Sequence, residues 1–144
     1  MAIDKDFIND IRAEIGEYIA AQSADIFPAV YAYPKTSLEA YPAVVIMPSE
    51  NVSDYGDTEN NRFALAFNLI VYYPVSEASE QEDVELAVGE AVGELIRIFS
   101  VRNPLTTCEW VTPVPSVWGD AEVGNGIFRT ALVTLRCIKY MTVR

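Results

Sequence analysis

Between residues 4 and 22, Phe7, Ile8, Ile11, Ile15, Tyr18 and Ile19 recur at three- and four-residue intervals. This spacing predicts a helix with one apolar stripe, capped by Asp4 or Asp6. Pro28, Pro34, Pro42 and Pro48 then punctuate two short runs, Ala29 to Tyr33 and Ala43 to Met47. Proline is excluded from helix interiors and central strands, so these runs read as strands of about five residues. The stretch Glu50 to Asn61 has no apolar period and is rich in Asn, Asp, Ser and Gly, which predicts a long exposed connection. From Arg62 to Tyr73 the odd positions are Phe63, Leu65, Phe67, Leu69, Val71 and Tyr73. A period of two with one uniformly large face predicts a strand whose odd side chains enter the core. Ser76 to Asp83 is a polar, acidic lead-in suited to a helix N-terminus, and Val84, Val88, Ala91, Val92, Leu95 and Phe99 continue at helical spacing to end before Pro104. Gly89 and Gly93 weaken that helix; either close backbone approach by a neighbour offsets the loss, or the helix is simply a weak one that the fold tolerates.

The last third predicts a hairpin. Residues 108 to 118 are extended and carry Pro113 and Pro115, whose missing N–H groups face one side, so one side of this strand is expected to be unpaired. Ile127 to Val143 alternates again, with Gly119 to Gly126 as the connecting tip. If that tip is symmetric, Cys108 and Cys137 fall near each other. The order helix, strand, strand, strand, helix, strand, strand predicts an α+β two-layer sandwich. It consists of an antiparallel or mixed sheet of about five strands with two helices on one face, the other face partly exposed. The whole chain, 1–144, reads as one domain.

Composition narrows the function. With 51% apolar residues, a chain of 144 residues can bury roughly 70% of its unfolded surface and needs neither metal nor disulfides to fold. Ten Lys and Arg stand against twenty-one Asp and Glu, for a net charge of −11, which argues against gripping nucleic acid by its phosphates. The apolar runs fall short of the ~20 residues a membrane helix needs, and the acidic start does not read as a signal peptide. Synthesis in the cytosol is expected, with the two cysteines as reduced, buried thiols.

Catalytic chemistry finds little to work with. With no histidine, the usual base for a Ser or Cys nucleophile is missing, as are the common zinc sites. There is no GxGxxG or GxxxxGK[ST], so no nucleotide cradle and no cofactor is expected. The carboxylates are not arranged as a distinguished acid–base pair, and Asp54, Asp57 and Glu59 lack the ligand alternation of a calcium loop. The surplus aromatics Tyr31, Tyr33, Tyr41, Tyr55, Trp110 and Trp118 cannot all lie beneath two helices, and some are expected to face a partner.

The order of elements, the run Tyr-Pro-Ala-Val-Val-Ile at 41–46, the stretch Asp57-Thr-Glu-Asn-Asn-Arg62, the Arg-Phe-Ala-Leu-Ala-Phe strand at 62–67 and the late hairpin resemble the tail terminator proteins of long-tailed bacteriophages. The likeness spans nearly the whole chain and rests on layout and local texture. It implies a non-enzymatic virion protein, assembled in the host cytoplasm. Six copies would form a ring on the head-proximal end of the tail tube, stop its growth and offer a surface to the head connector. The partners implied are further copies of the chain (a hexamer), the tail tube protein and a head connector or neck protein. Viral DNA would pass through the opening without specific binding, and no membrane is involved. Under this resemblance Tyr55, Asp57, Glu59 and Arg62 are the candidates for axial or neighbour contacts. Asp120, Glu122 and Asn125 in the hairpin tip are candidates for a second contact or a channel element. The alternatives are another ring protein of the neck, such as a head-completion component, and, more distantly, an acidic inhibitor that mimics DNA.

Overall fold

The computed structural model describes residues 6–33, 40–55, 60–75, 81–123 and 126–142. It has the expected α+β order: α1 (Phe7–Gln22), β1 (Ala29–Tyr31), β2 (Ala43–Tyr55), β3 (Asn60–Val75), α2 (Gln81–Phe99), β4 (Trp110–Val123) and β5 (Gly126–Thr142). The five strands form one mixed sheet in the order β1-β2-β3-β5-β4, with β1 parallel to β2 and the remaining pairs antiparallel.

The alternation in β3 does what its pattern predicts. Leu65, Phe67, Leu69 and Val71 are buried with Ala131, Val133, Leu135 and Cys137 of β5, which lie in register beside them. Ile11, Ile15 and Ile19 of α1 and Val88, Ala91, Val92, Leu95 and Phe99 of α2 close over these side chains in one cluster. Both helices therefore lie on the same face of the sheet, and burying their stripes is the main source of stability. The Tyr18 ring packs on Phe99 at 5.1 Å, and its hydroxyl donates to the Ile98 carbonyl at 2.6 Å. That bond serves one of the carbonyls a helix leaves unpaired at its C-terminus.

Two polar knots, one buried and one nearer the surface, tie elements together. Arg12, on the covered side of α1, donates from Nε to the Ala32 carbonyl and from a terminal nitrogen to the Ile46 carbonyl at 2.6 Å. Its guanidinium carbon lies 4.3 Å from the Tyr33 ring centre. Glu14 accepts the N–H and hydroxyl of both Thr106 and Thr107, which pins the segment after α2 to α1. Lys139 holds the same segment from β5 by donating to the Thr107 carbonyl at 2.7 Å.

Several local expectations are corrected. The sequence from 50 to 61 is not one long connection: β2 continues to Tyr55 and β3 begins at Asn60, with Tyr55 opposite Asn61. The pairing continues through residues rich in Asn, Asp and Ser, whose sequence carries no apolar period to mark a strand. The tip at 119–126 is likewise mostly strand, since β4 runs to Val123, which pairs with Gly126. β1 ends at Tyr31 rather than Tyr33. Asp6 occupies the α1 N-cap without a side-chain capping bond. The glycines of α2 are not sites of tight approach: a Cβ on Gly89 would sit 3.7 Å from Trp118, and one on Gly93 would meet nothing within 4 Å.

Candidate interaction surface

The expected contact residues that are described fall in two places, as the two expected contacts do. Tyr55 ends β2 and Arg62 lies near the start of β3, opposite Asp54 and beside Tyr140 of β5. Asp57, Glu59 and Asn125 lie outside the described residues. Asp120 and Glu122 are exposed on β4, opposite Arg129 and Ile127. Asp120 approaches Arg129 at 3.6 Å, while Arg129 also contacts Glu85 of α2 at 2.7 Å and lies over the Trp118 ring at 5.6 Å. Arg129 was missed from sequence. Its signal was the acid–base pair across a hairpin whose register is readable only once the tip is known to be short. These groups border a cleft of about 450 Å³, where the carboxylates are occupied by the arginine rather than converging on an open reaction site.

The groups with shifted titration are also engaged. Burial works to raise the Glu14 carboxyl, but the bonds from Thr106 and Thr107 together outweigh it and hold the group below its ordinary value. Cys108 and Cys137 are buried, free thiols. Cys137 stands opposite Val111 rather than Cys108, yet the two thiols are near enough for their interaction to hold Cys108 below the ordinary thiol value and to push Cys137 up. Among the described residues no group of three or more Cys, Asp or Glu is placed to hold a metal ion, and no helix is long and apolar enough to cross a membrane.

What the fold leaves open is sheet. β1 pairs only with Ala43–Val45, and Arg12 takes the next carbonyl, that of Ile46. Beyond it, through Tyr55, β2 has no second strand beside it among the described residues. At the opposite edge β4 pairs with β5 alone, so the expectation of an unpaired side holds there. The β4–β5 ladder runs unbroken from Trp110 to Pro115. A proline has no N–H to give it, so Pro113 and Pro115 hold the alternate positions whose backbone faces away from β5. The outer rim of β4 thus presents the carbonyls of Val111, Pro113 and Pro115 with one N–H, that of Val111. A cleft of about 490 Å³ lies along this rim, walled by Val101, Arg102, Asn103 and Pro104.

The third open surface is the face of the sheet away from the helices. Val45, Ile70 and Leu132 form a row across β2, β3 and β5, flanked by Met47–Asn68–Thr134–Val114 on one side and Ala43–Tyr72–Thr130 on the other. Thr134 donates to the Asn68 side chain at 3.1 Å, and Tyr72 meets Phe128 edge-on at 6.1 Å. Of the aromatics expected to face outward, Trp110 (65% exposed), Tyr33 and Trp118 do so, while Tyr31 and Tyr41 are half-buried.

No protein-family model matches the chain, and no curated protein matches it. A solved structure aligns over 99% of this chain and 98% of its own, at 16% identity and a TM-score of 0.43.

Proposed function

We propose that this chain is a structural assembly protein of the tail-terminator kind, acting through shape without chemical turnover. Copies would join as a ring, a hexamer by the resemblance, that seats on the head-proximal end of a phage tail tube. There it would end tube growth and receive a head connector or neck protein. The observation that carries the reading is the amount of sheet left for partners: one face, the far half of the β2 edge, and a β4 rim shaped by two prolines. The layout and local texture of the sequence supply the identity of those partners.

The mechanism is geometric. A tube grows because each ring repeats the surface on which it landed, and a terminator matches that surface on one side while presenting a different one on the other. Six copies at −11 each carry about −66. Carboxylates bordering the opening would repel phosphates and let DNA pass without sticking. The place of action is the tail or neck of the virion, after assembly in the host cytoplasm.

Electron microscopy of the purified protein, alone and with tail tubes, tests this directly. Rings at one tube end, with tubes of uniform length, are expected; tubes that stay bare and keep growing overturn it. Changing Asp57 and Glu59 together to Lys should leave the circular dichroism spectrum unchanged and lower the yield of capped tubes. An unaltered yield removes these two residues from the contact.

A further inference from the structure

The distribution of charge between the two faces of the sheet identifies a surface for self-association. In a chain of net charge −11, carboxylates would be expected on every exposed surface. The helix-free face departs from that. From the row of Ala43, Tyr72 and Thr130 to the row of Trp110, Ile138 and Ala64, its positions on β3, β5 and β4 hold no Asp or Glu and one charged residue, Arg136, while on β2 Glu50 stands at the margin in the irregularity between Pro48 and Asn51. Among the described residues, exposed carboxylates gather on the helical side, as at Asp10, Glu17, Glu82, Asp83 and Glu90, and toward the hairpin tip at Asp120 and Glu122.

The centre of this face is apolar: Val45 is buried by its neighbours, Ile70, Leu132 and Met47 are half-buried, and Val114 is 39% exposed. None of them belongs to the core beneath the helices. Apolar residues at the centre, aromatics at the margin and a scarcity of carboxylates are the composition of an interface core. For two like-charged copies a face whose strands β3, β5 and β4 carry no carboxylate there also offers an approach of low repulsion. Four neighbouring strands and five rows of alternate residues span roughly 20 by 30 Å. A copy seated on this face buries on the order of 600 Å² per partner, at the lower end of what stable pairs use.

We infer that the helix-free face of the sheet is where a second copy of this chain seats, with the row Val45–Ile70–Leu132 at the centre of the contact. The inference rests on the self-assembly part of the function proposed above and adds the surface through which copies meet.

Analytical ultracentrifugation of the purified full-length protein over a dilution series reads it out. The wild type is expected to associate, and Leu132→Glu to weaken association by about a hundredfold while keeping the far-ultraviolet spectrum. Leu132→Thr, which is milder and well suited to a strand, covers the case in which Glu disturbs folding, and should weaken association in the same direction. Glu90→Gln on the helical side should leave it unchanged. Trp110, at the corner of the face, should show an emission shift with concentration that Trp110→Phe removes. A wild type that stays monomeric at every concentration overturns the inference, as does association that both Leu132 variants leave intact. The two readings separate in microscopy with tail tubes: rings that still form with a Leu132 variant refute this face and spare the terminator reading. Copies that associate through this face but never cap a tube do the reverse.

Discussion

Arg12 shows how one side chain can stand in for a strand. β1 is three residues long, and where it leaves β2 the carbonyls of Ala32 and Ile46 would lack donors. The guanidinium reaches both from α1 and lies under Tyr33. Arg12→Met keeps the aliphatic stem but strands two acceptors, and is expected to lower stability by about 2–3 kcal/mol, read as a shift of the urea midpoint. Arg12→Lys should recover only part of this, because one ammonium cannot span both carbonyls with the fork of the guanidinium. Glu14 works in the opposite sense, as an acceptor for four donors. Its folded-state pKa lies below its unfolded value, so its contribution is complete above the unfolded carboxylate range and is lost as pH falls through the depressed folded value. Thermal unfolding of wild type and Glu14→Gln should therefore differ most near neutral pH and converge in acid. A gap that widens on acidification would contradict the arrangement.

At the level of elements, β4 carries its own protection against edge-to-edge pairing. With Pro113 and Pro115 directed outward, a visiting strand finds carbonyls without the alternating donors a ladder requires. Replacing both prolines by Val restores two N–H groups on the exposed rim and should increase aggregation on warming, measured by light scattering and thioflavin fluorescence. The ladder to β5 should be preserved, because neither nitrogen contributes to it. That edge was legible in the sequence because the two prolines lie two residues apart. The core face of β3 and both helices were legible for the same reason, since periodic burial leaves a periodic sequence. The ends of both hairpins were not. Residues 50–55 and 60–61 are held by backbone pairing, and their turn-favouring Asn, Asp and Ser carry no apolar alternation from which a strand could be read. The second hairpin is centred on the Val123–Gly126 pair rather than on 119–126, so counting inward from the expected tip put Cys137 opposite Cys108 instead of Val111 and hid the pair Asp120–Arg129; the irregularity between Pro115 and Trp118 shifts the register once more. Arg12 and Glu14 had no sequence signal, because their partners are backbone groups or residues more than ninety positions away.

For the whole molecule, the separation of charge between the two sides gives association a diagnostic salt dependence. Two copies at −11 each repel one another, and that repulsion weakens as salt screens it. The centre of the face proposed for contact, Val45, Ile70 and Leu132 with Met47 and Val114 beside them, is uncharged, so its burial does not depend on ion pairs that added salt could weaken. Screening shortens the reach of charge from about 10 Å at 0.1 M salt to about 3 Å at 1 M. Added sodium chloride should therefore remove repulsion while leaving apolar burial intact, and association should tighten monotonically with ionic strength. An interface built on cross-subunit ion pairs, such as Arg62 or Arg136 against the acids of a neighbour, predicts the opposite sign. Sedimentation at several salt concentrations, with wild type and Leu132→Thr in parallel, distinguishes the two. Tightening in the wild type with a uniformly weaker curve for the variant places the contact on the neutral face. Dissociation by salt would move the contact to the charged rim.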